Sequence, residues 1–127
     1  MSGIKIVKLE DGALYKRRGG TMNFVHWPGS GSSDIALHYL QLEPGEEFAE
    51  HIHEESIDVI TLIQGKGEII SDGVIYQVEA GQSIYVPPKT PHGARNTGDE
   101  TFISIDVLTP PDPVMYAELA ADQAKES

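Results

Sequence analysis

From Ile4 to Leu108 the chain alternates short apolar stretches with turn formers and shows hardly any 3.6-residue periodicity. That pattern predicts an all-β fold, an antiparallel sandwich or barrel. Strands are expected at 5–9, 22–25, 35–42, 47–53, 57–63, 68–71, 74–78, 83–86, 92–96 and 101–108. Within "SDGVIY" the pair Asp72-Gly73 separates Ile69-Ile70 from Val74-Ile75. Asp-Gly tolerates the positive φ angles of a two-residue turn, so a hairpin is expected here. "EPGEE", "IQGKG" and "EAGQS" each centre on a glycine and mark three further reversals. "RRGGTMNFVHWPGSGSSD" reads as a mobile loop interrupted by one short strand, a candidate lid. Helix formers are confined to the tail after "TPPDP", residues 113–127, where Asp112 is placed to cap the helix and Pro113 to begin it.

Composition narrows the partners. The 127 residues fit one domain. Twenty acidic residues against nine basic ones give a formal net charge of −11, which argues against DNA, RNA or an anionic membrane surface. The chain has no cysteine, so disulfides, thiolate metal sites and a cysteine nucleophile are excluded and any metal must sit on nitrogen and oxygen. The N-terminus carries Lys5, Lys8, Glu10 and Asp11 without an apolar run of signal-peptide length, and no later run approaches a membrane span, so a cytoplasmic protein is expected.

Candidate chemistry centres on "HIHEESID", where His51 and His53 are two apart and three carboxylates follow. Alternate residues of a strand face the same way, so both imidazoles can reach one ion. A third histidine, His92, follows the proline-stiffened turn in "VPPKTPHGARN".

These two segments resemble the paired motifs of the cupin superfamily. The first, G-x5-H-x-H-x4-E-x6-G, aligns with Gly45, His51, His53, Asp58 and Gly65. The second, G-x5-P-x-G-x2-H-x3-N, aligns with Gly81, Pro87, Lys89, His92 and Asn96. The match covers residues 45–96 and departs from the pattern at two positions, Asp58 for glutamate and Lys89 for glycine. The resemblance implies a small single-domain cupin, residues 1–127: an antiparallel double-stranded β-helix barrel with a short C-terminal helix, commonly a homodimer. It also implies one divalent transition metal per subunit, Fe, Mn, Ni, Co or Zn, on His51, His53 and His92. Asp58 would be the fourth ligand, directly or as an acceptor behind the histidines. Glu54 and Glu55 compete for that place, but Asp58 shares a strand face with Ile60 and Leu62. At Lys89 the turn is expected either to take an ordinary negative φ or to accept a modest strain.

Outside the motifs, Tyr85 is a candidate general acid or orienting group, and Asp106, a carboxylate in the apolar strand "TFISIDVL", a candidate catalytic residue alongside Asp58. His26 and His38 read as hydrogen-bonded or surface histidines, and Arg95 as a surface ion pair. The expected function is a metal-dependent enzyme, dioxygenase-like or a lyase/isomerase, acting on a small metabolite that binds through two oxygens. The alternative is a metal-containing small-molecule binding or sensing module without turnover.

Overall fold

A computed structural model describes residues 3–126. Ten strands follow in chain order: β1 (Ala13–Tyr15), β2 (Thr21–His26), β3 (Ala36–Leu42), β4 (Glu47–His51), β5 (Ile57–Gln64), β6 (Lys66–Ser71), β7 (Val74–Glu79), β8 (Ser83–Val86), β9 (His92–Asn96) and β10 (Phe102–Thr109). One helix, α1 (Pro113–Glu126), closes the chain. The strands form two antiparallel sheets, one of six in the order β1-β2-β3-β10-β5-β8 and one of four in the order β4-β9-β6-β7. They face each other as a double-stranded β-helix whose sheets do not join into one closed ladder.

Alternation builds the interior. On β5 every second residue, Asp58, Ile60 and Leu62, is buried; on β10 these are Phe102, Ser104, Asp106 and Leu108; on β3, Ala36, His38, Leu40 and Leu42. The cross-strand registers Asp106↔His38 and Asp106↔Ile60 bring these rows onto one face. The Asp72-Gly73 turn joins β6 to β7, with both residues at positive φ, 48° and 82°, as a mirror-image hairpin turn requires.

One expectation needs correction and two others are sharpened. The segment 5–9 pairs with no strand: it runs extended with Ile4 and Ile6 each 93% exposed, then turns through a 3-10 segment at Leu9–Asp11. Alternation alone cannot make a strand without a neighbouring edge to bond. The first paired strand is instead Ala13–Tyr15, too short to show a period. The glycine-rich stretch expected as a mobile loop is anchored by β2, an internal strand of the larger sheet with Met22, Phe24 and Val25 buried. Of the two alternatives at Lys89 the structure takes the strained one: φ is 64°, and its backbone N–H donates to the His53 carbonyl at 2.8 Å. The turn thus keeps the left-handed shape that glycine would take without strain.

Candidate metal centre

His51, His53, Asp58 and His92 come together, each offering one ligand atom, all within 4.8 Å of one another. His51 ends β4, His92 opens β9 and pairs with it across the ladder, Asp58 lies on β5 of the opposite sheet, and His53 follows β4 in the connection. Each histidine is oriented by its Nδ1. That of His51 donates to the Ala49 carbonyl at 2.8 Å and that of His92 to the Thr90 carbonyl at 2.9 Å. That of His53 meets Asp112 Oδ2 at 2.6 Å. A carbonyl can only accept, so in His51 and His92 the Nδ1 carries the proton, and the Nε2 atoms are left to face the centre.

The donor set fits a metal ion. His92 Nε2 lies 3.1 Å and His53 Nε2 3.7 Å from Asp58 Oδ2. Nitrogen lone pairs so close to a carboxylate require a positive charge between them, a proton or a metal. The other oxygen of Asp58 is buried with no hydrogen-bond partner, which is costly unless something cationic satisfies it. Three imidazoles and one carboxylate suit first-row divalent ions generally. A metal held by these four residues would act as a Lewis acid toward a bound oxygen.

Electrostatics follow from this packing. For His53 burial opposes the charge, but the hydrogen bonds to Asp112 and Asp58 overcome it and raise the pKa to about 9. Burial pushes Asp58 up, and its bonds to His53 and His92 more than reverse that, so it stays ionised well below the usual carboxylate range. Burial, reinforced by its histidine neighbours, lowers His51 to about 3. Burial, and then the nearby charge of Asp58, push the Asp106 carboxyl well above the usual carboxylate range, which favours its protonated form; its Oδ1 accepts from the Ser104 hydroxyl at 2.8 Å.

The cluster borders an interior cavity of about 20 Å³, which also touches His38, Ile60, Asp106 and Met115. This is room for one or two water-sized groups. Sequence reasoning placed all four cluster residues and, in Asp106, one cavity wall. Glu54 and Glu55 are exposed and outside the cluster. Tyr85 does not reach it: Ile84 and Val86 take the inward positions of β8, and Tyr85 points away, 63% exposed. Arg95 forms a surface pair with Glu68, as expected. His26 lies half-buried outside the cluster.

One role was missed, and one choice was left open between His38, read as hydrogen-bonded or surface, and Tyr39 on the opposite face. Asp112 caps α1 by accepting from Val114 N–H at 3.0 Å, as anticipated, but its second oxygen holds His53. No local pattern signals a role to a residue 59 positions away. His38 is fully buried in the cavity wall, with Nε2 3.2 Å from the Tyr116 hydroxyl and Nδ1 without a partner. Burial lowers its pKa to about 4, so it is neutral. Here a signal existed: Ala36, Leu40 and Leu42 share its parity, whereas Tyr39 and Gln41 take the other.

Comparison with known proteins agrees with this geometry. The Cupin domain profile matches residues 38–108. The chain is 26% identical over 107 residues to "Polyketide synthase CurC" of Streptomyces cyaneus, covering 84% of this chain and 70% of that protein. It is 30% identical over 96 residues to "Protein SchB" of Streptomyces halstedii, covering 75% and 70%. Among solved structures, the polyketide cyclase RemF from Streptomyces resistomycificus superposes with a TM-score of 0.72 at 19% identity, covering 87% of this chain and 82% of that one.

Proposed function

The chain belongs to the Cupin domain family, and on that premise we propose that it is a metal-dependent enzyme of the lyase or isomerase kind, acting on a small metabolite that binds through two oxygens. One observation carries this reading: three histidines whose Nδ1 atoms are each held by a partner turn their Nε2 atoms toward a buried carboxylate that has a free oxygen. Beside that cluster stand two groups able to exchange protons, the neutral His38 and Asp106, whose protonated form burial favours; they are cross-strand neighbours on β3 and β10. Asp106 can donate to oxygen charge developing on the substrate, and His38, fixed by Tyr116, can carry a proton to or from its carbon. Neutral groups placed for proton transfer support an enzyme over a passive binding module. The cyclase named among the structural neighbours supports non-redox chemistry over the dioxygenase expectation.

In the test, Zn(II)- and Fe(II)-loaded protein are offered enolisable hydroxy-ketones and 1,3-diketones under strict anaerobiosis. Turnover with both metals, lost in Asp106→Asn, is expected. Turnover that needs both Fe(II) and air would restore the dioxygenase reading, and metal-dependent binding without turnover the sensing module.

We also propose a homodimer. Leu37, Val59, Ile105 and Val107 form a half-buried apolar stripe on the outer face of the larger sheet, where a second copy would complete their burial. A monomeric mass by light scattering at micromolar concentration would contradict it.

A further inference from the structure

The cavity at the metal cluster, about 20 Å³, is too small to hold the body of a metabolite. The rest of the substrate must lie elsewhere but adjoin a ligand. A surface groove of about 600 Å³ meets that condition, because His92 lines both spaces. Two other grooves of similar size, one beside α1 at Leu14 and Leu119 and one at Ile63–Lys66, touch none of the four cluster residues.

The groove is the open seam between the sheets, bounded by β7, the edge of the four-stranded sheet, and β8, the edge of the six-stranded one. Tyr76 comes from β7 and Tyr85 from β8, and Ile84, Val86 and His92 line the same groove. Its volume falls in the range of about 300–1,000 Å³ typical of small-molecule sites. None of its fourteen lining residues is Asp, Glu, Lys or Arg, although charged residues make up 23% of the chain. An anionic group lodged in the seam itself would find no cationic side chain, and the net charge of −11 repels anions from the surface as a whole; the charge of a metal is met only beyond His92.

We propose that this seam holds the body of the substrate, an uncharged, planar, ring-bearing molecule whose oxygen-bearing edge is directed past His92 toward the metal cluster. The inference rests on the enzymatic reading above and narrows it: an aromatic or diketone-like compound fits, whereas a molecule that carries a carboxylate or phosphate on the part lodged in the seam does not. Tyr85, which does not face the inner cavity, acquires a role as one wall of the substrate slot, its ring offered to a planar face.

The test uses 1-naphthol as a neutral planar probe and 1-naphthoate as its anionic counterpart, titrated into the full-length protein and followed by amide chemical shifts, with and without Zn(II). Saturable shifts confined to β7, β8 and the 87–91 turn are expected with 1-naphthol and, in the metal-free protein, affinity at least about tenfold weaker for 1-naphthoate. Combined Tyr76→Ala and Tyr85→Ala should weaken 1-naphthol about tenfold or more, and Tyr85→Phe should retain it. Both tyrosines are more than half exposed, so their removal leaves the core intact. The inference is overturned by equal affinity for the two probes in the metal-free protein, by shifts centred elsewhere, by unchanged binding in the double variant, or by a dimer that covers the seam and excludes 1-naphthol. Zinc content measured on the same samples keeps the two readings apart. Failure of naphthol binding with zinc retained removes only the seam inference, whereas loss of zinc binding with naphthol retained removes the metal-enzyme reading.

Discussion

The interior has two halves built from the same strands. One half is apolar: Leu42, Leu62, Phe102 and Ile69 fill it, all at most 4% exposed. The other, two to four residues along those strands or on their neighbours, holds His38, Asp58, His92, Ser104 and Asp106, just as deeply buried. The backbone geometry is the same; only the inward side chains change. The apolar half gains free energy from removing hydrocarbon from water, and the polar half loses it by stripping water from groups that are incompletely paired, as the free atoms of Asp58 and His38 show. A metal ion held by His51, His53, Asp58 and His92 would supply the partner that Asp58 lacks. The lesson is that stability resides in one half and chemistry in the other, and substitutions should separate the two.

The largest effect on stability belongs to the apolar half. Leu62→Ala should lower the unfolding free energy by about 2–5 kcal/mol in chemical denaturation while leaving metal stoichiometry unchanged in the folded fraction. A loss under 1 kcal/mol would blur the division between the halves. Asp112→Asn comes next, weakening metal affinity by about 10–100-fold through looser orientation of His53, with fold retained by circular dichroism. Unchanged affinity would show that the carboxylate serves only as the helix cap.

The pH dependence of the metal-free protein sharpens the contrast further. The raised pKa of His53 contributes stability that is fully present below its unfolded value of 6.5 and is lost as pH rises through about 9. Asp58, held low, contributes stability present above its unfolded value of 3.8 and lost as pH falls below it. His51 and His38, kept neutral by burial, cost stability once the unfolded chain protonates, so the fold weakens as pH falls below 6.5 toward about 4 and about 3. Metal-free protein should therefore be most stable near pH 6.5 and weaken on both sides, by about 2 kcal/mol toward pH 9. Zinc should remove the part of the alkaline decline that belongs to His53, which is already deprotonated when it ligates, and leave the part that burial of Asp106 contributes. An alkaline decline undiminished with zinc bound would place the proton elsewhere. The smallest effect is at Lys89: the change to Gly relieves a left-handed residue but frees the unfolded chain, a net gain of about 1 kcal/mol or less in thermal denaturation.

Much of this division was legible in the sequence. The motif spacing placed His51, His53, Asp58 and His92, because a β-ladder converts fixed spacing into fixed direction. Asp106 was visible as a carboxylate among β-branched residues. Tyr85 was misassigned although its apolar neighbours Ile84 and Val86 already claimed the inward positions, and His38 was undervalued although its strand held the opposite clue. In both cases parity was readable once the sign of the inward face was known. Asp112 was different: its partner is brought near only when the C-terminal helix docks, a long-range event that no local pattern encodes.

The convergence of the four residues on one ion is tested most directly by calorimetric zinc titration at pH 7 in buffers of different ionisation enthalpy. One ion per chain is expected, with about one proton released as His53 gives up the charge it shares with Asp58 and Asp112, and no comparable binding in His92→Ala. Full zinc uptake by His92→Ala would show that the two motifs do not meet at a common ion, and binding without proton release would show that His53 is already neutral in the metal-free protein.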